Sequence, residues 1–379
     1  RQGLSRRSGP AACEHGGVSQ QIRSAPVLGN VGVAPPEVAE LKSIGLSAGL
    51  DAIGVTTAEP FEATLAEILR RREAGLHADM QFTFRNPERS TDPGRILEGA
   101  RSIIVGAMRV SAPRLPDAGP GRARIAAYAR HDHYGDLRAA LEVVAGRLIA
   151  ASCTARVVAD NNSLVDRAAA VRAGIGWFGR NGNVLIPGHG SWFVLGSVVT
   201  DAALPADQEV VADGCGTCRS CIDGCPTGAI VEPGVIDARR CLAWLVQAPG
   251  DIPLEFRKAM GGRIYGCDDC QEVCPVGRAD RSAEGSTDTA ADVEAVEVLA
   301  AADDDLLARF GRWYIAERDP RYLRRNALVV LGNTADANDP LVVRALTENL
   351  NASDPMLRGH AEWAALELDR ADLLDGSIR

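Results

Sequence analysis

The 379-residue sequence predicts an α+β protein with three folded parts. Strand and amphipathic-helix patterns alternate up to about residue 205, eight of the ten cysteines fall between Cys215 and Cys274, and the closing segment has helical periodicity. These observations predict an α/β domain over residues 36–205, a small ferredoxin-like domain over 206–285 and a helical tail over 286–379. The Gly-, Ser- and Pro-rich residues 1–35 are expected to form a disordered leader.

Composition and charge exclude several classes of protein. The 46% hydrophobic content is enough to bury a sizeable core, so the chain is not a disordered one. Its net charge of −9 means that any nucleic-acid partner must meet a local basic surface. No apolar run reaches the roughly 18 residues of a membrane span, and RQGLSRRSGP lacks the apolar core of a secretory signal. We therefore expect a cytoplasmic protein without membrane association.

In the first part, each element follows from its hydrophobic period. LSAGLDAIGVTTAEP predicts a helix that runs into a short buried strand, and RSIIVGAMRV (101–110) and ARVVAD (155–160) predict two further strands. Between them, DLRAALEVVAGRLIAA (136–151) has the apolar spacing of an amphipathic helix. GSWFVLGSVVTD (190–201) predicts a buried strand that leads towards the cysteines.

Two stretches of the first part carry polar residues that a plain core does not need. In YARHDHYGDLR (128–138), Asp132 is either a helix N-cap or a proton donor, and the residues alone favour the cap. DNNSLVDRAAAVRAGIGWFGRNGNVLIP (160–187) ends in a Gly-rich turn that contains Trp177, Arg180 and Asn181. Its glycines either allow the backbone to approach a ligand closely or form a tight structural turn.

The cysteines form two runs that each end in Cys-Pro. The first is C-x2-C-x2-C-x3-C-P from Cys215 to Pro226, and the second is C-x2-C-x3-C-P from Cys267 to Pro275. In such runs the last cysteine ligates the neighbouring cluster, which predicts two [4Fe–4S] clusters. The first cluster then takes Cys215, Cys218, Cys221 and Cys274, and the second takes Cys225, Cys267, Cys270 and the otherwise unassigned Cys241.

Other interpretations of these cysteines are weaker. A disulfide scaffold is typical of short secreted chains, and a zinc site needs four ligands and gives no reason for the Cys-Pro endings. The two remaining cysteines are interpreted as an incidental terminal thiol, Cys13, and a small core residue, Cys153.

The tail contains a weak repeat. YLRRNALVVLGN (322–333) and MLRGHAEWAALE (356–367) share a Leu-Arg start and an Ala at the sixth position, 34 residues apart. They predict either two helical-repeat units or ordinary amphipathic helices that match by chance. The acidic segment before them is expected to be a linker that enters a helix.

Four segments together resemble the epoxyqueuosine reductases, the cobalamin-dependent enzymes of the last step of queuosine tRNA modification. They are AVRAGIGWFGRNGNVLIPGHGSWFVLGSVVTD, CGTCRSCIDGCPTGAI, DARRCLAW and RIYGCDDCQEVCPVGR. The resemblance covers roughly residues 40–278, and the tail is similar to the HEAT-like tail of longer members. It implies that cobalamin lies between the α/β and cluster domains, is reduced through two [4Fe–4S] clusters, and removes the epoxide oxygen of epoxyqueuosine at the tRNA wobble position.

The resemblance also implies site residues. The family's proton donor is an aspartate in a Y-A-x-G-x-D-Y-H stretch, which aligns with Asp132, although YARHDHYGDLR is one residue shorter and inverts the Tyr-His order. Asp136 is the alternative position for the family's aspartate, and His131 or His133 can take part in the proton transfer. Arg180 stands where many members have Lys, and the two cations differ in geometry. The cobalamin-contacting region is expected to comprise Asp160, Ser163, Arg167, Arg172, Gly179, Arg180 and Asn181, with a structural role as the alternative for each arginine.

The implied partners are tRNA carrying epoxyqueuosine and an electron donor of the flavodoxin or ferredoxin type, and we expect a monomer. Candidate phosphate contacts are Arg239, Arg240, Lys258, Arg263, Arg321, Arg324 and Arg325. Two rivals remain. A reductive dehalogenase is disfavoured because no apolar segment follows Arg6-Arg7, and a simple electron carrier is disfavoured because it needs no large upstream domain.

Overall fold

The computed structural model describes residues 35–278 and 288–375. Its first part has helices α1 to α6 and strands β1 to β7. The helices are Val38–Ser47, Glu62–Glu73, Pro87–Ser90, Ala127–Arg130, His133–Ala150 and Asp166–Arg172. The strands are Ala52–Thr57, Ser102–Arg109, Arg122–Ile125, Ala155–Ala159, Trp177–Phe178, Val184–Leu185 and Phe193–Thr200. A 3-10 turn covers Pro93–Arg95.

The second part begins with α7 and ends with α10. Its helices α7 to α10 are Ser220–Asp223, Leu242–Leu245, Leu254–Met260 and Asp269–Glu272, and its strands β8 to β10 are Ile230–Glu232, Val235–Ile236 and Arg263–Tyr265. The last part contains β11, Asp292–Glu294, a 3-10 turn at Ala316–Arg318 and helices α11 to α16. These helices are Ala295–Ala300, Asp303–Phe310, Arg321–Thr334, Pro340–Leu350, Pro355–Glu367 and Asp372–Asp375.

A four-stranded antiparallel sheet in the order β1, β2, β7, β4 forms the centre of the first part. β2 and β7 run beside each other from Ser102 opposite Thr200 to Arg109 opposite Phe193. These four strands confirm the strands predicted from the sequence. They form because their β-branched side chains favour an extended backbone.

Helices cover both faces of this sheet. Successive residues of a strand point to opposite faces. Ile104 of β2 therefore packs with α1 and α5, whereas Ile103 and Val105 pack with α6. The half-buried Cys153 contacts the first of these two cores. The first part is thus an α/β domain, as the alternating strand and helix patterns predicted, and its layers are those of an α/β/α sandwich.

A second sheet links all three predicted parts. Its order is β10, β3, β11, with β10 parallel and β11 antiparallel to β3. From Ala34 onwards the chain forms one compact unit. The predicted boundaries near residues 205 and 285 therefore divide the sequence by motif, and they remain predictions.

The tail helices pack against the cysteine-rich part. The two repeat segments form α13 and α15, which share a core with Leu242, Met260 and Ile264. The HEAT-like relation stays a prediction. In the described part of the chain, no helix is long and apolar enough to span a membrane. Residues 1–34 and 279–287 lie outside the described residues, and with them the leader, Arg6-Arg7, Cys13 and the start of the acidic linker.

Arg325 was assigned to a basic surface for phosphate contact, and this prediction is wrong. Its side chain is fully buried, at 0% exposure, because most faces of α13 are covered. The guanidinium group donates hydrogen bonds to backbone carbonyls at the end of α8 and in the loop that follows it, namely those of Leu245, Val246, Ala248 and Gly250. Arg325 is therefore a buried structural cation.

Candidate active site

Four thiols line one cavity in the cysteine-rich part. They belong to Cys215, Cys218, Cys221 and Cys274, and the Arg180 and Asn181 side chains line the same cavity. Burial raises the pKa of the Cys221 thiol, and its neighbours Cys274 and Cys215 raise it further. The last cysteine of the second run thus lies with the first three of the first run.

The other four cysteines form a second group. Burial raises the pKa of Cys270 well above its usual range, and Cys267, Cys241 and Cys225 add to the shift. Burial also raises the pKa of Cys267 to about 12. Thiols in this environment ionise only if cationic metal compensates their charge, so the group suits a metal cluster.

The two cysteine runs face each other through α7 and α10. A Cβ atom at Gly224 would lie 3.0 Å from the Val273 side chain, which shows how closely the runs approach. Turns hold the thiols inward: the Cys218 amide donates to the Cys215 carbonyl at 2.9 Å, and the Ala229 amide donates to Cys225 Sγ at 3.2 Å. Because the runs lie this close, Cys274 at the end of the second run can reach the first group, and Cys225 at the end of the first run can reach the second group.

A single metal ion does not fit the described thiols. Among residues 35–278 and 288–375, no three His, Cys, Asp or Glu side chains converge as one metal ion requires. A tetrahedral zinc site brings four ligands to about 2.0–2.3 Å from one atom. The geometry therefore suits a larger inorganic body that bridges four thiolates.

Asp132 lies at the start of α5 and caps it. Its Oδ1 accepts a hydrogen bond from the Gly135 amide at 3.0 Å, and the residue is exposed to solvent. The rings of His131 and His133 meet edge to face at 5.7 Å on either side of it. His133 Nε2 is buried without a partner, and burial lowers the pKa of this imidazole. The cap interpretation is confirmed, and it leaves the second carboxylate oxygen available.

The backbone before Asp132 is held from two directions. The Asp268 carboxylate, between two cysteines of the second run, accepts the Ala127 amide at 2.7 Å. From the tail, Trp313 Nε1 donates to the Ala129 carbonyl at 2.9 Å. No sequence pattern predicts these contacts, since each joins segments that lie far apart along the chain. Together they fix the Asp132 segment against the second cysteine group.

Acidic side chains gather beside Asp132. Burial raises the pKa of Asp160, and the nearby Asp132 carboxylate contributes to the rise. Burial also raises the pKa of Asp166 well above its usual range, and next to it that of the Tyr134 hydroxyl. Asp160 has a left-handed backbone, with a φ of 50°. Burial therefore favours the protonated forms of these three groups.

The other predicted cofactor residues each make their own contacts. Arg167 donates to the Gly182 carbonyl at 3.1 Å, and Ser163 accepts a hydrogen bond from Arg89. Arg172 donates to the carbonyls of Thr57 and Glu59 and lies 3.5 Å from the Phe61 ring centroid, which favours its structural interpretation. Asn181 Nδ2 is buried without a partner, so an amide donor is available at the thiol cavity.

Comparison with known proteins finds one match to the cysteine-rich part and further matches to most of the chain. Residues 214–277 match the family model of the 4Fe–4S double cluster binding domain. Epoxyqueuosine reductase of Bacillus anthracis is 33% identical over 331 residues, covering 83% of this chain and 85% of the relative. That of Pseudomonas aeruginosa is 32% identical over 355 residues, covering 88% and 96%.

Solved structures show the same fold. A crystal structure of epoxyqueuosine reductase with an epoxyqueuosine-modified tRNA-Tyr stem loop aligns with a TM-score of 0.80 at 29% identity, covering 89% of this chain and 92% of that one. The Bacillus subtilis enzyme, with its catalytic aspartate loop swung out of the active site, aligns with a TM-score of 0.78 at 29% identity, covering 89% and 93%. The two cysteine groups, the fold and these identities lead to one conclusion: the chain belongs to the epoxyqueuosine reductase family.

Proposed function

We propose that this chain is an oxidoreductase that removes the epoxide oxygen of epoxyqueuosine in tRNA to give queuosine. The observation that carries the proposal is that the chain forms two four-cysteine groups and holds the Asp132 segment against the second of them, through the bond from the Ala127 amide to Asp268. Removing the oxygen as water takes two electrons and two protons. One-electron carriers and a proton source are therefore both required, and this arrangement offers both.

Each cluster has a proposed ligand set. Cys215, Cys218, Cys221 and Cys274 hold the first [4Fe–4S] cluster, and Cys225, Cys241, Cys267 and Cys270 hold the second. The support is the shared cavity of the first set and the mutual electrostatic influence within the second. Cys241 has no place in either run, and its position at the start of α8 brings it to the second group.

Replacing Cys241 with alanine is expected to lower the iron content from eight to about four per chain, since one ligand of the second cluster disappears. Iron and sulfide analysis of reconstituted protein measures this. Cys153→Ala is the matched control, because that half-buried thiol lies in the core of the first part and not in either cysteine group. Eight irons in the Cys241 variant would contradict the ligand set.

Cobalamin is the cofactor that the family implies, and the pocket residues fit it. When bound, cobalamin would supply low-valent cobalt chemistry. We propose that Asp160, Arg167 and Asn181 would hold it, with Ser163, Gly179 and Arg180 in the same region. Buried polar groups that lack partners, such as Asn181 Nδ2, would gain hydrogen bonds there.

Asp132 is the proposed proton donor. Opening an epoxide leaves an alkoxide, and an acid within hydrogen-bond reach stabilises that charge as it forms. Asp132 is exposed towards an incoming substrate, while its helix cap holds the carboxyl group in place. Burial raises the pKa of the neighbouring Asp160 and Tyr134 and so favours their protonated forms, and we propose that they resupply the proton.

The two cysteine groups differ in their surroundings. Burial dominates the raised pKa of Cys241, and the Arg167 guanidinium opposes it, so the second group lies near the predicted cofactor residues. The loop of the first group faces solvent at Gly214, Gly216 and Arg219. We propose that an electron donor of the flavodoxin or ferredoxin type approaches from this loop.

The tRNA is proposed to meet cations that stay exposed. Side-chain exposure is 55% for Arg239, 69% for Lys258 and 48% for Arg321, although each also has an acidic partner. Arg263 is held by Asp269 on both of its carboxylate oxygens, which favours a structural role. A cytoplasmic monomer is the proposed working form.

One experiment tests the function. Reconstituted protein with cobalamin and a reductant is incubated with epoxyqueuosine-modified tRNA, and the nucleosides are analysed by mass spectrometry. Queuosine is the expected product. Protein that holds eight irons and a corrin but leaves epoxyqueuosine unchanged would overturn the proposal. Protein that binds no corrin would favour a simple electron carrier.

A further inference from the structure

The indole ring of Trp177, in β5, lies against the loop that begins the first cysteine run. The side chain is 7% exposed, and its Nε1 donates a hydrogen bond to Cys215 Sγ at 3.4 Å. A Cβ atom at Gly214 would lie 2.7 Å from the ring, so the indole also packs directly on the backbone before Cys215. Two independent contacts therefore fix this N–H group on the sulfur.

The hairpin that carries Trp177 is attached to the same loop by further contacts. Arg180 donates to the Gly216 carbonyl, and Trp177 pairs with Leu185 across the hairpin. At the other end, Gly174 has a φ of 71°, and its Cβ position lies 2.6 Å from the Glu209 carbonyl oxygen. The hairpin and the cysteine loop thus form a close-packed pair, which orients the indole towards Cys215.

Two other buried indoles in the described chain donate to backbone oxygens. Trp313 donates to the Ala129 carbonyl at 2.9 Å, and Trp244 donates to the Ala78 carbonyl at 3.2 Å. Such bonds satisfy a buried N–H group in an ordinary core. The Trp177 N–H group instead meets a thiol that lines the first cavity. A structural role alone does not require a sulfur acceptor.

We propose that Trp177 tunes the first [4Fe–4S] cluster by donating its indole hydrogen bond to the Cys215 thiolate and so raising the cluster's reduction potential. Adding an electron makes the cluster sulfurs more negative, and a hydrogen bond to a more negative acceptor is stronger. The bond therefore stabilises the reduced form, in line with the general control of cluster potential by hydrogen bonds to sulfur. The inference rests on the ligand set under the proposed function.

Trp177→Phe in the full chain with both clusters tests the inference. Phenylalanine keeps an aromatic ring in the buried site and removes the N–H donor together with part of the indole, and eight irons per chain are expected to remain. Titration at set potentials, followed by electron paramagnetic resonance, should show one of the two midpoints moved to a more negative value. At a fixed potential, the ratio of reduced to oxidised first cluster is expected to fall about tenfold, equivalent to about 59 mV for a one-electron couple.

Trp313→Phe is the matched control and should leave both midpoints unchanged, because its indole donates to a carbonyl. Unchanged midpoints in a Trp177→Phe protein with eight irons would overturn the proposal. If that variant loses iron, Gly214→Ala is measured instead, since its methyl group displaces the indole without removing it. A negative shift there supports the proposal, whereas an unchanged midpoint or the loss of iron in both variants makes Trp177 a purely structural support. An error in the ligand set would appear separately, as wild-type protein with fewer than eight irons.

Discussion

Asp132→Asn is expected to lower the turnover of epoxyqueuosine-modified tRNA by about 10²–10⁴-fold, the usual contribution of a positioned acid. Asparagine has nearly the shape of aspartate and is an equally good N-cap, so its side-chain oxygen can still accept the Gly135 amide. Only the transferable proton disappears. The measurement is single-turnover conversion of modified tRNA, with the cluster content and the corrin spectrum of the variant recorded alongside.

Two further variants separate capping from proton transfer. Asp132→Ala removes both and should add a cost of about 1 kcal/mol to folding. Asp136→Asn is the matched control, because Asp136 lies in the first turn of the same helix and is the alternative alignment of the family aspartate. Its turnover should stay within a few fold of wild type. Normal turnover in Asp132→Asn, or an equal loss in Asp136→Asn, would move the proton donor away from Asp132.

Two strands, helix α5 and the grouping of Cys274 were predicted correctly from sequence patterns, because those patterns reflect local chemistry. The strands at 102–109 and 193–200 and the long helix α5 follow directly from β-branched runs and helical spacing. The grouping of Cys274 with the first run followed from motif spacing, which reflects how short loops present thiols to a cluster. These features depend on few contacts between residues that are distant in sequence.

Long-range features were not predictable in the same way. β11, Asp292–Glu294, lies in a stretch that was interpreted as a linker entering a helix, and only the edge of β3 makes it a strand. The Trp177 hydrogen bond to Cys215 joins residues 38 positions apart and has no sequence signal. Glycine at 214, immediately before the first cysteine, is the one hint, since close packing against the loop requires it.

The adjacent arginines of α13 show why charge alone misleads. Arg324 and Arg325 look equivalent in the sequence, yet neighbouring helix positions are about 100° apart, so one can face inward and the other outward. Arg324 pairs with Asp303 at 2.6 Å, whereas Arg325 lies at 0% exposure. Which face is buried depends on the packing of α13 against the loop after α8. The sequence repeat does not encode that choice.

Arg325→Met is expected to destabilise the protein by about 3–5 kcal/mol, as removal of one partner from a buried polar network does. Four backbone carbonyls, at Leu245, Val246, Ala248 and Gly250, would lose donors, and the first two belong to buried residues. An unsatisfied buried acceptor costs about 1–3 kcal/mol. Burial lowers the pKa of Arg325 to about 10, so removing its charge gives back part of this cost, but four carbonyls outweigh it.

The control is Arg321→Met on the same helix. Its guanidinium is 48% exposed and pairs with Asp319 and Asp354, and exposed pairs contribute about 0–1 kcal/mol. Thermal unfolding of both variants measures the difference, and iron analysis shows whether the second cluster is lost, because the carbonyls follow directly after Cys241 and α8. If Arg325→Met unfolds like wild type and only its tRNA binding weakens, the side chain would be a phosphate contact after all. Equal stability of Arg325→Met and Arg321→Met would also contradict a buried role, because only Arg325 of these two arginines donates to the four backbone carbonyls.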